Sequence, residues 1–105
     1  MSAIAALNDA FRLKFEGGRV LFTAGVSDLG VEFSHLALGL VRLFDKFDAD
    51  NDPYGEHDFG SFELKGRKLF WKIDYYDRAL EYGSPDPRDP TVTTRVLTIM
   101  LAEEY

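Results

Sequence analysis

The sequence predicts an α+β protein, with two helices packed on a mainly antiparallel sheet of about four strands in the order α-β-α-β-β-β. Three observations carry that expectation. Apolar residues recur at helical spacing in two segments of the N-terminal half. A period-two segment broken by a two-residue turn marks a hairpin in the middle. The final stretch, "TVTTRVLTIMLAEEY", is rich in β-branched residues. With 105 residues, 46% of them hydrophobic, the chain suits a single domain over residues 1–105 and is too short for two ordinary cores.

The first helix is expected over residues 2–16. Ile4, Leu7, Phe11 and Phe15 follow one another at spacings of 4, 3 and 4, with Ser2 placed as its N-cap and Gly17 and Gly18 as its stop. In "RVLFTAGV", Val20, Phe22, Ala24 and Val26 alternate as one face of a strand. Ser27 stands where a second, longer helix would be capped, with Val26 and Val31 at the two positions of a hydrophobic staple. Leu29, Phe33, Leu36, Leu40, Phe44 (or Leu43) and Phe47 give that helix its core stripe. Gly30 and Gly39 each weaken it by about 1 kcal/mol relative to Ala, which suggests close packing on a neighbour. His35 lies beside this stripe without a second ligand at helical spacing, and it reads as a structural or surface histidine.

"SFELKGRKLFWKIDYYD" reads as a β-hairpin with Lys65 and Gly66 as its turn. Phe62 then faces Leu69, and Phe62, Leu64, Leu69, Trp71 and Ile73 share one face. Glu63 meets Lys68 across the strands on the other face, a favourable charge pair. Prolines in "SPDPRDP" prevent regular pairing there. Residues 91–105 favour a central strand covered on both faces, although Val92, Val96, Ile99 and Met100 also fit a buried helix.

Charge restricts the function classes. The net charge of −6 repels nucleic-acid phosphates and disfavours direct nucleic-acid binding, whereas it suits docking on a basic protein partner. There is no cysteine, which excludes disulfides and thiolate chemistry and suits a reducing cytoplasm. The N-terminus lacks the basic and apolar regions of a secretory leader, and no apolar run approaches the roughly 20 residues that a membrane helix needs. The expectation is a cytoplasmic protein with no cofactor and no membrane partner, in which homo-oligomerisation stays open.

The hairpin brings residues 48–60 and 77–90 to one end of the sheet, and that end collects the acids. Asp50, Asp52, Tyr54, Glu56, His57, Asp58, Asp74, Tyr75, Tyr76, Asp77 and Asp86 are its candidate binding residues, and continued pairing would set His57 opposite Asp74. Asp48, Asp50 and Asp52 fit the first positions of a calcium loop, but Pro53 replaces the required glycine and Phe59 the terminal glutamate, so an EF-hand is excluded. A metal-assisted hydrolase centred on His57, Asp58 and Asp74 is the enzymatic alternative. "ELK" after Asp58 matches an Asp…Glu-x-Lys arrangement of metal-dependent nucleases, except that Lys65 falls in the turn, away from the acids. A bland role competes with both, since Asx residues beside Pro and Gly build turns by bonding their own backbone. A recognition surface is the fourth reading. If helices cover only the Trp71 side, Phe70, Lys72, Asp74 and Tyr76 face solvent beside the acidic loops, with Tyr54, Tyr75 or Tyr76 as anchors.

The blocks "DNDPYGEHDFG", "FWKIDYYD" and "DPTVTTRVLTIMLAEEY" resemble a family of small bacterial proteins catalogued as a domain of unknown function. The resemblance runs from "GGRVLFTAGV" to Tyr105, with no family word between Val31 and Phe47. It implies an alphaproteobacterial, often plasmid-borne setting and carries no site residues. It favours a non-enzymatic interaction protein, an accessory or counter-defence factor of mobile DNA, acting through the acidic loops.

Overall fold

In the computed structural model, which describes residues 1–105, Ser2 starts the first helix as expected. Its Oγ accepts the Ala5 amide at 3.0 Å, and helix α1 runs Ala3–Lys14. The stop comes earlier than the glycine pair. Phe15 takes the left-handed conformation (φ 58°), and its N–H closes on the Phe11 carbonyl at 2.7 Å. Gly18 serves a different purpose, as the first residue of strand β1 (Gly18–Phe22). A β-carbon there would collide with the Arg95 carbonyl and meet the Phe11 ring at 2.7 and 2.9 Å, so glycine lets α1 lie against the sheet.

The next segment corrects the expected strand and cap. The strand ends at Phe22, and Ala24–Ser27 form a single helical turn, α2, that buries Val26. Ser27 ends α2 and caps nothing; Gly30, at φ 98°, redirects the chain into α3 (Val31–Arg42). Val31 is 72% exposed, so no staple closes around the cap. The core stripe of α3 is Phe33, Ala37 and Val41, at spacings of four, with small Ala37 seating the helix on the sheet. Leu36 and Leu40 form the neighbouring row and are exposed. Phe44 and Phe47 reach the core from the coil after α3. A β-carbon on Gly39 would meet nothing within 4 Å, so no close helix contact requires that glycine. His35 is exposed, as a surface histidine would be.

Strands β2 (Phe59–Leu64) and β3 (Arg67–Tyr76) form the hairpin in the expected register, with Phe62 opposite Leu69 and Glu63 opposite Lys68. Lys65 and Gly66 have φ of 52° and 79°, both positive, as a type I′ turn requires. The C-terminal segment resolves into strand β4 (Thr94–Leu101) and a 3₁₀ turn, Ala102–Glu104. The four strands lie in the order β1-β4-β3-β2, with β1 parallel to β4 and the other two pairings antiparallel. As a central strand, β4 buries Leu97, Ile99 and Leu101 on one face and Val96 and Met100 on the other.

Side chains of α1, α2 and α3 join Leu69, Trp71 and Ile73 in one core. The opposite face carries no helix, and Phe70 there packs on Phe59 and Tyr105 at centroid distances of 5.2 and 5.3 Å. No helix is long and apolar enough to cross a membrane.

Candidate functional site

Pairing between β2 and β3 continues as far as the Asp58 carbonyl, which accepts the Ile73 amide at 2.8 Å. At His57 the backbone turns left-handed (φ 56°), and the ladder ends. His57 therefore does not face Asp74. Asp74 points to the helix-free side and pairs with Lys72 at 3.1 Å. The His57 ring stacks on Phe47 at 4.0 Å with an interplanar angle of 2°. Its Nδ1 lies 2.9 Å from an Asp9 oxygen; a carboxylate only accepts, so this nitrogen carries the proton. On the other side Nε2 stands 3.7 Å from Asp52 Oδ2.

Asp52, 9% exposed, is the internal strut of the loop between α3 and β2. Its Oδ1 accepts the amides of Glu56 at 3.0 Å and His57 at 3.2 Å. Asp48 Oδ1 accepts the amides of Asp50 and Asn51, both at 2.9 Å. Asn51 Oδ1 accepts the Asp48 amide at 3.1 Å, and its Nδ2 donates to the Lys46 carbonyl at 2.9 Å. Three polar side chains of this stretch, Asp48, Asn51 and Asp52, thus satisfy its own backbone. Its tip leaves Asp50 exposed and Tyr54 87% exposed.

Helix α1 supplies the partners that hold the loop. Asp9, which receives His57, also accepts Arg12 Nη2 at 3.0 Å. Arg12 is 4% exposed, and its Nη1 donates to the carbonyls of Val41 and Phe44, each at 2.8 Å. The cation thus satisfies carbonyls at the end of α3, where the helix dipole is negative. Its guanidinium lies 4.8 Å from the Trp71 ring and 5.2 Å from that of Phe47, a cation–π arrangement. The Arg12 Nε and Trp71 Nε1 nitrogens are buried without partners.

A second chain of bonds starts at buried Asn8. Its Nδ2 donates to the Glu56 carbonyl at 2.9 Å and to the Tyr75 hydroxyl at 2.8 Å. Its Oδ1 accepts Arg95 Nε at 2.6 Å, and Arg95 Nη2 donates to the Pro87 carbonyl at 2.7 Å. One asparagine on α1 therefore ties the loop before β2 to the loop before β4. Burial pushes the Tyr75 hydroxyl above its ordinary range, beside Asp58 and Glu56. Burial and the Glu56 charge raise the Asp58 carboxyl from 3.8 to about 6. Tyr75 is half-buried against the core, with its hydroxyl held by Asn8, which leaves it less free than Tyr54 to act as a surface anchor.

The structure brings together Asp52, Glu56, His57, Asp58 and Tyr75 of the expected site. It leaves Asp50 and Tyr54 at the tip, and Asp74 and Tyr76 on the helix-free side. Asp77 and Asp86 bond within the second loop: Asp77 Oδ1 accepts the Glu81 amide at 3.0 Å, and Asp86 Oδ1 accepts the Arg88 amide at 3.1 Å. No three His, Asp or Glu side chains converge as a metal site requires. Asn8, Asp9, Arg12 and Arg95 escaped the sequence reading. The signal was there: Ala5, Asn8 and Arg12 share the buried side of α1, and Arg95 directly precedes the apolar Val96 and Leu97 of a central strand.

A cleft of about 870 Å³ opens between the C-terminal part of α1, the start of β1 and the segment leading into β4. Arg95 lines it as well. No curated protein and no solved structure matches the chain. A family model described as "Protein of unknown function (DUF3768)" matches residues 22–104, most of the sequence, and the chain belongs to that family.

Proposed function

We propose that this protein is a small, non-enzymatic interaction module whose loop 48–58 docks tip-first on a basic protein partner. The observation that carries the reading is Tyr54, 87% exposed on a loop whose backbone is already fixed by Asp48, Asn51 and Asp52. A pre-ordered loop loses little conformational freedom on binding, and tyrosine is a favoured interface anchor. Asp48 and Asp50 flank the tip with negative charge, and the net charge of −6 steers the chain toward a basic surface. Asp52, His57 through Asp9, and the Glu56 carbonyl through Asn8 hold the loop in shape.

Acidity, small size and the resemblance of its sequence blocks to plasmid-borne proteins support a narrower role. The chain would serve mobile DNA as an accessory or counter-defence factor, occupying the basic groove of a nucleic-acid enzyme. A hydrolase built on His57, Asp58 and Asp74 would need those groups in one pocket, whereas Asp74 pairs with Lys72 on the helix-free face. The geometry favours binding.

Replacing Tyr54 with a photo-crosslinking phenylalanine derivative in cells tests this reading, with the same group at Leu43, exposed after α3, as control. Crosslinks from position 54 to one basic protein, abolished by Asp50→Lys, are expected. Equal capture from both positions, or capture that survives Asp50→Lys, would count against it.

A further inference from the structure

On a chain with a net charge of −6, the cleft beside α1 is lined by four cations, Lys14, Arg19, Arg78 and Arg95, and by one carboxylate, Glu16. The ion pairs of the molecule are Arg12–Asp9, His57–Asp9, His57–Asp52, Lys72–Asp74 and Arg88–Asp86. None of the four cleft cations takes part in one.

Arg95 is the decisive member. It is 5% exposed, as deeply buried as Arg12, yet Arg12 has Asp9 and Arg95 has no carboxylate. Its Nε and Nη2 rest on neutral acceptors, Asn8 Oδ1 at 2.6 Å and the Pro87 carbonyl at 2.7 Å. Its guanidinium lies 5.2 Å from the ring of Tyr75, which burial keeps neutral. The remaining nitrogen, Nη1, makes no hydrogen bond to protein and is not sealed in the interior. A buried guanidinium stays charged and is costly without a counter-charge. Here the missing counter-charge has a place to sit, because Arg95 forms part of the cleft wall.

The cleft also shows which kind of anion fits. Four cations against one carboxylate exceed what a single monocarboxylate would neutralise and match a group bearing two or more negative charges. Guanidinium forks pair well with phosphate oxygens. Leu7, Phe11 and Leu13 add an apolar wall from α1, and the volume falls in the range of about 300–1,000 Å³ typical of small-molecule sites.

We propose that this cleft binds a small phosphorylated organic molecule of nucleotide size, its phosphates between Arg95, Arg78, Lys14 and Arg19 and its organic part against α1. The docking reading uses Asp50 and Tyr54, which do not line the cleft, so either reading can fail while the other stands.

Titration of the intact protein with ATP, pyrophosphate and adenosine, followed by amide chemical shifts and calorimetry, tests the proposal. ATP and pyrophosphate should bind saturably and perturb the amides of Gly17, Gly18, Arg19, Thr93 and Thr94, ATP the more tightly; adenosine alone should not bind. Lys14→Gln and Arg78→Gln change exposed residues, so folding is preserved, and each should weaken ATP binding about tenfold, the loss of one charge-assisted hydrogen bond. Absence of saturable binding by ATP and pyrophosphate would overturn the proposal. So would shifts confined to other surfaces, equal binding of sulfate at matched ionic strength, or unchanged affinity when Lys14→Gln and Arg78→Gln are combined.

Discussion

The loop 48–58 and the cleft beside α1 are both dense in charge, and they differ in what those charges touch. In the loop and its support, Asp9, Arg12, Asp52 and His57 each meet a partner within the protein. In the cleft, Lys14, Arg19, Arg78 and Arg95 have no ionic partner. Local charge density in the sequence marks the first region, which is largely architecture. Four cations dispersed over 80 residues of sequence, roughly, mark the second, where a charge surplus is left over. A charge already bonded within the fold has less left to offer a ligand.

The sharpest way to break this contrast is at Arg12. Arg12→Ala removes the donor to Val41 and Phe44, deprives Asp9 of its buried cation and empties the space between Trp71 and Phe47. The expected loss is about 3–5 kcal/mol, read from the urea midpoint. Stability near that of the parent protein would mean that the network decorates the fold without supporting it. Asp52→Ala is the next step down. It strands the amides of Glu56 and His57, at an expected cost of about 2 kcal/mol. Hydrogen exchange at those amides should accelerate well beyond that of β3, because the loop opens before the sheet does.

Asp58 sharpens the comparison through pH. Its carboxyl, raised by burial and Glu56 from 3.8 to about 6, favours folding when protonated. That contribution is complete below pH 3.8 and is lost as pH rises through about 6, leaving a half-buried charge beside Glu56 at neutrality. Asp58→Asn keeps a donor for Glu56 and carries no charge. It should stabilise the protein by about 1 kcal/mol at neutral pH, after allowance for solvent screening, and by nothing near pH 3. Melting temperatures at both pH values measure the difference; a gain that persists at low pH would assign the effect to packing.

The same contrast explains how far the sequence could be read. The hairpin register followed from residues that constrain one another at short range, with Phe62–Leu69 and Glu63–Lys68 agreeing on one turn. Asx, Pro and Gly composition likewise exposed the turn-building role of Asn51 and Asp52, though not that of Asp48. The partner of His57 was not legible: Asp9 lies 48 positions away on α1. On α3 two apolar rows run side by side, and their spacing alone does not say whether Ala37 or Leu36 faces the sheet. For the cleft, neither Lys14 nor Arg78 has a sequence neighbour that announces it, and only the parallel pairing of β1 with β4 sets Gly18 against Arg95.

The smallest expected effect is also the most discriminating. If the cleft cations are left over from folding, removing them should leave the fold intact, whereas neutralising network charges should not. The double variant Lys14→Gln, Arg78→Gln changes two exposed residues without ionic partners, so its unfolding free energy should stay within about 0.5 kcal/mol of the parent. Lower mutual repulsion around Arg95 would place any change on the stabilising side at low salt, and salt should erase it. A loss of 2 kcal/mol or so, on the scale of Asp52→Ala, would make these cations part of the architecture after all. The two regions would then differ only in the sign of their charge.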